Sequence, residues 1–194
     1  MAGVRDCIYG QAVGDALGVP FEFRERDTFE CTGMVGFGTH GQPAGTWSDD
    51  TSMALAICDS YREAGHIDTE DIRGRFLAWY RDGAYTCDGL FDIGGATARA
   101  LIAGHGLSGE RDNGNGSLMR TIPLAFFDAT DDEIRAVSAI THAHPTSTEA
   151  CVRIVHVAKA LVDGMPVGDA VAMGGVDARK PCNSINSGGY VLHT

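Results

Sequence analysis

Apolar residues recur at helical spacing along most of this chain, and that periodicity constrains the fold more than any other feature of the sequence. Four segments each place their apolar side chains on one helical face, namely residues 4–17, 50–64, 69–81 and 95–104. Two T-x-x-E capping boxes, Thr130–Glu133 and Thr146–Glu149, and then Pro166 are each expected to open a further helix. Alternation of apolar and polar residues never persists beyond a few positions. The sequence therefore predicts an all-α fold.

Glycine-rich loops separate the predicted helices. The chain has 26 glycines, and they concentrate in residues 31–46, 83–95, 104–117 and 174–189. In a helical domain such loops commonly carry the functional site. A length of 194 residues with 44% hydrophobic residues fits a single compact domain, which we assign to residues 1–194. Residues 186–194 have the pattern of a loop entering a helix, so we expect the domain to be truncated at the C-terminus.

The chain is acidic, with a net charge of -11. This balance disfavours non-specific binding to nucleic acid and to anionic membranes, because both depend on cationic side chains. The N-terminal segment carries Arg5, Asp6 and Asp15 and lacks the apolar core of a signal peptide, and no apolar run in the sequence is long enough to span a bilayer. The six cysteines show no zinc-finger spacing. These features predict a reduced, cytoplasmic protein without a membrane partner.

Two adjacent carboxylates, Asp49 and Asp50, follow Ser48 at the start of a predicted helix. Capping explains one or two of these residues, because Ser and Asp accept hydrogen bonds from early helix N–H groups and acids favour the positive end of the helix dipole. Adjacent acids beside a hydroxyl also suit a hard cation such as Mg²⁺. On spacing alone, capping is the favoured interpretation and a cation site is the alternative.

Two other carboxylates lie in unusual surroundings. Asp15 is inside a mostly apolar helix, where an unpartnered carboxylate carries a desolvation cost, so it needs a partner. Glu22 lies between Phe21 and Phe23, just past that helix. A carboxyl group among aromatic rings can have a raised pKa and act as a base. The simpler interpretation is that Glu22 points to solvent.

Three further features have both a structural and a ligand-binding interpretation. The glycine-rich stretch 113–120 either offers N–H groups to a phosphate or forms a turn with helix caps. His142 and His144 lie at a helix junction, where capping of the preceding helix is favoured over zinc and donation to a phosphate is a third option. Tyr190 follows two glycines and either stacks on a base or is an ordinary loop aromatic.

Taken together and in order, six segments of the chain resemble the ADP-ribosylglycohydrolase family: GQAVGDALGVPFEF, GTWSDDTSM, FDIGGAT, NGNGSLMR, THAHP and SGGYVLHT. The resemblance implies a compact all-α fold with two Mg²⁺ or Mn²⁺ ions. It also implies hydrolysis of the N- or O-glycosidic bond that joins ADP-ribose to an acceptor. The expected partner is thus an ADP-ribosylated protein or a small ADP-ribosyl compound, with metal ions and N–H groups rather than a basic surface attracting the diphosphate.

The resemblance also implies roles for individual residues. Ser48, Asp49 and Asp50 correspond to the metal ligands of the first half of the family site, and Glu22 together with Asp50 to its catalytic carboxylates. The remaining correspondences concern the substrate, with Asp92 facing the ribose or acceptor, Asn115, Gly116 and Ser117 forming the diphosphate loop, His142 reaching the phosphates and Tyr190 stacking on adenine.

One part of the family pattern is not found in this sequence. The family has a second metal motif of the form G-D-D-T-D-T, whereas the only acids after position 163 are Asp169 and Asp177. A half-site is expected to hold Mg²⁺ weakly, because this ion needs several oxygen ligands. The alternatives to a hydrolase are therefore a non-catalytic ADP-ribose-binding or structural relative and, less favoured, a metal-dependent phosphohydrolase.

Overall fold

The computed structural model describes residues 3–25 and 27–174. Seven α-helices lie in this part of the chain: α1 (Val4–Gly18), α2 (Asp49–Ala64), α3 (Thr69–Asp82), α4 (Gly95–Ala103), α5 (Asp131–Ala139), α6 (Pro145–Val162) and α7 (Val167–Met173). Short 3₁₀ turns are formed at Val19–Phe21, Glu110–Asp112, Leu118–Arg120 and Ile122–Phe126. The described residues form no strand beyond one isolated bridge between Leu107 and His142. The predicted all-α fold is confirmed.

Helix α2 lies at the centre of the core. Its Met53, Ala56 and Ile57 are fully buried, because α1, α3 and the 3₁₀ turns at 118–126 pack against it. These side chains belong to one core cluster with buried residues of α3, α5 and α6. The surrounding helices contribute large apolar side chains to this core, spaced so that they lie on one helical face, as Phe76 and Trp79 of α3 do. Helix α1 packs along α2, and its Asp15 side chain contacts the first turn of α2, next to the candidate site.

The predicted helix starts are confirmed with one exception. Thr130 forms the expected capping box with Glu133, and Pro166 directly precedes α7. The second capping box, Thr146–Glu149, is wrong because Pro145 already occupies the first turn of α6. A proline suits this place because its missing N–H would have no helical partner there.

The His144 side chain caps α6, the helix that follows it, and not the preceding helix. The His144 Nδ1 atom accepts a hydrogen bond from the Thr146 N–H at 3.2 Å. Glu149 does not cap α6 but forms an ion pair with Arg135 of α5 at 2.7 Å.

None of the helices in the described ranges has both the length and the apolar content that crossing a membrane requires. The five cysteines among these residues are free, namely Cys7, Cys31, Cys58, Cys87 and Cys151.

Candidate functional site

A pocket of about 440 Å³ lies where the first turn of α2, the start of α4 and the 111–119 loop meet. Seven of the residues predicted from the sequence line it: Glu22, Asp49, Asp50, Asp92, Asn115, Gly116 and His142. Ser48 and Ser117 are buried just behind the residues that line the pocket. Tyr190 lies outside the residues that the structure describes. Two of the four loops predicted to carry the site, 83–95 and 104–117, thus contribute to one pocket.

The carboxylate of Asp15, in α1, caps the first turn of α2. It accepts hydrogen bonds from the Ser48 N–H at 3.0 Å and the Ser48 Oγ at 2.8 Å. It also accepts from the Thr51 N–H at 3.1 Å and the Thr51 Oγ1 at 2.7 Å. The predicted need of Asp15 for a partner is therefore confirmed. Ser48 occupies the N-cap position, but its side chain accepts no bond from the helix, so the capping interpretation of Ser48 is wrong.

Asp49 and Asp50 are left free to form the acidic wall of the pocket. Asp49 is buried and Asp50 half-buried, and among the described residues neither carboxylate has a Lys, Arg or His within 4.0 Å. Burial, with the charges of Asp50 and Asp92, raises the pKa of Asp49 well above its ordinary value. Burial, with the charges of Asp15 and Glu22, raises the pKa of Asp50 to about 7. A cation at this wall would relieve both effects.

Glu22, which lines the same pocket as Asp49 and Asp50, forms a close contact with His40. The His40 Nε2 atom lies 2.6 Å from the Glu22 Oε2 atom, and the Thr39 Oγ1 donates to the Glu22 backbone carbonyl at 2.6 Å. Burial raises the pKa of Glu22, and the bond to His40 partly offsets that rise. Glu22 is half-buried and paired, so its solvent-facing interpretation is not supported.

His40 is a residue that the sequence did not single out. It lies in a stretch without helical periodicity, and its pairing with Glu22 spans 18 residues, so no local pattern indicates it. His40, Glu22 and Asp92 each offer a ligand atom, and these three atoms lie within 4.8 Å of one another. One imidazole and two carboxylates are donor types found in metal sites.

A different part of the pocket is formed by Gly116, His142 and Thr97. A Cβ atom at Gly116 would lie 2.9 Å from the His142 Cε1 atom and 2.9 Å from the Thr97 Oγ1 atom, so a larger residue there requires these side chains to move. Burial and the nearby Arg120 charge lower the pKa of His142 to about 3, which makes the imidazole neutral. Its Nδ1 atom lies 2.8 Å from the Thr141 Oγ1 atom. If that hydroxyl donates, the Nε2 atom carries the hydrogen and can donate to a ligand.

Buried hydrogen bonds hold the 113–117 loop. The Ser117 Oγ atom accepts from the Ser138 Oγ at 2.9 Å, and the Asn113 Oδ1 atom accepts from the Ser147 Oγ at 2.8 Å. The Ser117 side chain is thus engaged inside the protein, and its predicted contact with a diphosphate stays a prediction.

Two arginines that the sequence did not single out, Arg99 and Arg111, also line the pocket. Both are exposed, and Arg99 forms an ion pair with Asp112 at 2.5 Å. Net charge does not reveal these two cations, because separate parts of an acidic chain place them at one pocket.

Comparison with known proteins places this arrangement in a family. A family model described as ADP-ribosylglycohydrolase matches residues 2–183. The chain is similar to the ADP-ribosylarginine hydrolase Tri1 of Serratia proteamaculans, with 32% identity over 98% of this chain and 59% of that protein. It is also similar to the ADP-ribosyl-[dinitrogen reductase] glycohydrolase of Rhodospirillum rubrum, with 30% identity over 80% of this chain and 56% of that protein.

A solved structure gives the same result. The chain matches a protein of an ADP-ribosylglycohydrolase-related protein complex with a TM-score of 0.75 and 29% identity, over 96% of this chain and 70% of that one. The chain spans 56–59% of the length of the two curated relatives named above. Since the matching family model covers nearly all of the sequence, the chain belongs to the ADP-ribosylglycohydrolase family.

Proposed function

We propose that this chain forms the core of a metal-dependent hydrolase that cleaves the glycosidic bond between ADP-ribose and a protein side chain or small acceptor. One observation carries the proposal. A single pocket combines four carboxylates, from Glu22, Asp49, Asp50 and Asp92, with a polar wall that has the chemistry of an anion site. ADP-ribose requires both: a polar surface to hold its diphosphate, and carboxylates beside the ribose carbon at which water attacks.

The acidic wall fits a divalent cation such as Mg²⁺ or Mn²⁺. Asp49 and Asp50 offer oxygen ligands, which hard cations prefer, and burial together with the neighbouring acids raises the pKa of both carboxylates. The Ser48 Oγ donates its hydrogen to Asp15, which leaves its lone pairs available to a cation. A bound cation would supply positive charge to orient ribose hydroxyls and lower the pKa of water.

The carboxylate of Glu22 is the proposed base. Water adds to the anomeric carbon of the ribose while the bond to the acceptor breaks, and the acceptor leaves with a proton, so the products are ADP-ribose and the free acceptor. Burial raises the pKa of Glu22 above its ordinary value, which makes its carboxylate a stronger base. Asp92, whose carboxylate lies within 4.8 Å of Glu22 and His40, is proposed to contact the ribose or acceptor.

The wall around Gly116 is the proposed diphosphate site. Gly116 allows the loop backbone to approach a ligand, and the neutral His142 and the nearby Asn115 offer donors without excess charge. Among the residues that the structure describes, the buried Thr97 Oγ1 atom in the same wall has no hydrogen-bond partner, and a phosphate oxygen would provide one. Arg99 and Arg111 add positive charge at the rim. Tyr190 remains the proposed partner of adenine.

The proposal is tested by the release of ADP-ribose. The chain is incubated with Mn²⁺ and an ADP-ribosylarginine peptide, the linkage named in the Tri1 relatives, and an ADP-ribosylserine peptide serves as a second substrate. We expect metal-dependent release that Glu22→Gln lowers by about 100-fold, because a positioned base typically contributes two to four orders of magnitude. ADP-ribose binding is measured in parallel by calorimetry.

Each outcome separates the candidates. Tight binding of ADP-ribose without metal and without turnover would favour the non-catalytic relative. Release of inorganic phosphate instead of ADP-ribose would favour the phosphohydrolase. A protein that neither binds ADP-ribose nor releases it from a substrate would contradict both the hydrolase proposal and the binding-protein proposal.

Replacement of Gly116 by alanine is expected to weaken ADP-ribose binding. The added methyl group meets His142 and Thr97 at 2.9 Å, and both side chains are buried, so the imidazole must move. We expect a loss of about 1–3 kcal/mol in the free energy of unfolding from this overpacking. Calorimetry and denaturant unfolding measure the two effects.

Gly74→Ala is the matched control for that substitution. Gly74 lies within α3, and a methyl group there meets nothing within 4 Å. The control is expected to keep ligand affinity and to gain stability, because alanine favours a helix by about 1 kcal/mol over glycine. Equal ligand affinities of both variants and the wild type would remove Gly116 from the proposed diphosphate site.

A further inference from the structure

We infer that Asp15 is a positioning residue of the metal-binding turn: by capping α2 from the neighbouring helix, it leaves the carboxylates of Asp49 and Asp50 free to bind a cation. This inference rests on the proposed function for the identity of the bound group. The hydrogen bonds from which it follows do not depend on that function.

The capping geometry is unusual because it comes from another helix. In a helix that caps itself, a side chain at the N-cap accepts from the N–H groups of the first turn. Asp68 does this for α3, where its Oδ1 atom accepts from the N–H groups of Glu70 and Asp71 at 3.0 Å each. At α2 the N–H groups of Ser48 and Thr51 are instead bonded to Asp15, which is 33 residues from Ser48.

The position of Asp15 is electrostatically favourable for α2 rather than for α1. It lies in the last turn of α1, where the negative end of the helix dipole disfavours a carboxylate. It faces the first turn of α2, where the dipole favours one. Four donated hydrogen bonds compensate for the desolvation of its charge.

A second α1 side chain supports the same turn. Gln11 lies one helical turn before Asp15, and its Nε2 atom donates to the Asp50 carbonyl at 2.8 Å and to the Met119 carbonyl at 2.9 Å. The face of α1 that carries both residues therefore connects the acidic turn with the 3₁₀ turn at Leu118–Arg120. That turn directly follows the loop proposed to bind the diphosphate. In this arrangement α1 sets the distance between the two halves of the pocket.

The consequence for Asp49 and Asp50 follows directly. Acidic residues at a helix start would otherwise be available to the unsatisfied N–H groups there. Because Asp15 accepts from the N–H groups of Ser48 and Thr51, those two groups need no bond from Asp49 or Asp50. Asp49 keeps only a contact with its own N–H, and Asp50 a 3.4 Å contact with the Ser48 Oγ. Both carboxylates line the pocket instead.

The test compares Asp15→Ala with Asp68→Ala, which removes a carboxylate cap of the same kind from a helix whose cap lies outside the pocket. Both variants are expected to lower the Tm by roughly 2–4 °C. Asp15→Ala is expected to weaken Mn²⁺ binding by about tenfold or more, as loss of an outer-shell partner typically does, whereas Asp68→Ala should leave it unchanged. Mn²⁺ affinity is measured by electron paramagnetic resonance without substrate.

Amide hydrogen exchange provides the second readout. Exchange should accelerate at Ser48 and Thr51 in Asp15→Ala, and at Glu70 and Asp71 in Asp68→Ala. Asp15→Asn, which keeps the side-chain volume, is measured in the same way in case the alanine variant does not fold, and the same direction of change is expected.

The outcomes distinguish this inference from the proposed function. Wild-type binding of Mn²⁺ that survives loss of Asp15 overturns the inference and leaves the function standing. Weaker binding with unchanged exchange at Thr51 also overturns it, because the charge of Asp15 and not its hydrogen bonds would then be responsible. A wild-type protein that binds no Mn²⁺ at this turn overturns the proposed metal site and the inference together.

Discussion

The double substitution Asp49→Asn/Asp50→Asn is expected to stabilise the metal-free protein at pH 8 while abolishing both Mn²⁺ binding and ADP-ribose release. The folded protein removes these carboxylates partly from water and holds them close to three further acids, Asp15, Glu22 and Asp92, so their charged forms are disfavoured. Asparagine keeps the shape of each side chain without its charge. Replacing a residue that serves function rather than stability commonly raises the stability of a protein while lowering its activity.

The direction of the pH dependence follows from the raised pKa values. The pKa of Asp50 is about 7 in the folded protein against an ordinary value of 3.8, so the folded state binds this proton more tightly than the unfolded state does. The free energy of unfolding of the metal-free wild type should therefore rise as the pH falls from about 8.5 to 6.5. Since one unit of pKa corresponds to about 1.4 kcal/mol, and Asp50 is partly exposed, we expect the double variant to gain roughly 2 kcal/mol at pH 8.

His142 limits the pH range in which the carboxylates can be tested, because its lowered pKa makes stability fall, rather than rise, as the pH decreases. Its pKa is about 3 in the folded protein against an ordinary value of 6.5, so it contributes stability above pH 6.5 that is lost as the pH falls toward 3. Between pH 6.5 and 8.5 the imidazole is neutral in the folded state. In the unfolded state it is half protonated at pH 6.5 and neutral at pH 8.5, which lowers stability by only about 0.4 kcal/mol at the lower pH. The carboxylates therefore dominate the pH dependence in that window.

Urea unfolding in EDTA at pH 6.5 and at pH 8.5 measures this effect. The control is Asp128→Asn/Asp132→Asn, whose side chains are 96% and 94% exposed and whose replacement should change stability by less than about 0.5 kcal/mol. Addition of Mn²⁺ should stabilise the wild type and leave the Asp49/Asp50 double variant unchanged. A double variant that is less stable than the wild type at pH 8 would show that these carboxylates support the fold.

The fold could be predicted from the sequence to a large extent, because the information is local. The first four predicted helices agree with α1 to α4 to within about one residue at each end. The capping box at Thr130 was equally readable, since all its atoms lie within one turn. The error at Thr146 arose from a competing local signal, the proline that precedes it.

The candidate site was predictable only in part, because its geometry depends on long-range contacts. The resemblance indicated Glu22, Asp49, Asp50 and Asp92, and the structure brings them to one pocket. His40 could not be found in this way, since its partner is 18 residues away and no pattern joins them. The need of Asp15 for a partner was readable, but the identity of that partner required the packing of α1 against α2.

Replacement of Arg120 by alanine is expected to cause the largest loss of stability, about 3–5 kcal/mol, and to weaken ADP-ribose binding as well. Arg120 is fully buried, and burial lowers its pKa to about 10, so the guanidinium remains charged at neutral pH. It donates to the Gly116 carbonyl at 3.1 Å and to the Val137 carbonyl at 3.2 Å, and its Cζ atom lies 4.5 Å from the centre of the Phe76 ring.

The loss arises from the groups that Arg120 leaves behind. Alanine creates a cavity against α2 and leaves two carbonyls without donors, each of which costs about 1–3 kcal/mol if it is buried. The freed Gly116 carbonyl also belongs to the loop proposed to hold the diphosphate, so the ligand should lose affinity even below the Tm. Lysine should rescue little, because one ammonium group cannot replace the planar guanidinium that reaches both carbonyls.

Thermal unfolding and calorimetry with ADP-ribose test the prediction, and Arg120→Met distinguishes its two causes. Methionine fills much of the space and removes the charge, but it donates no hydrogen bond. If burial of the charge dominated, methionine would stabilise the protein, as apolar replacement of buried ionic groups can. We expect a loss instead, because the two carbonyls remain unpaired in both variants. The difference between methionine and alanine then measures the cavity alone, and the loss that they share measures what the hydrogen bonds of Arg120 contribute to the 113–117 loop.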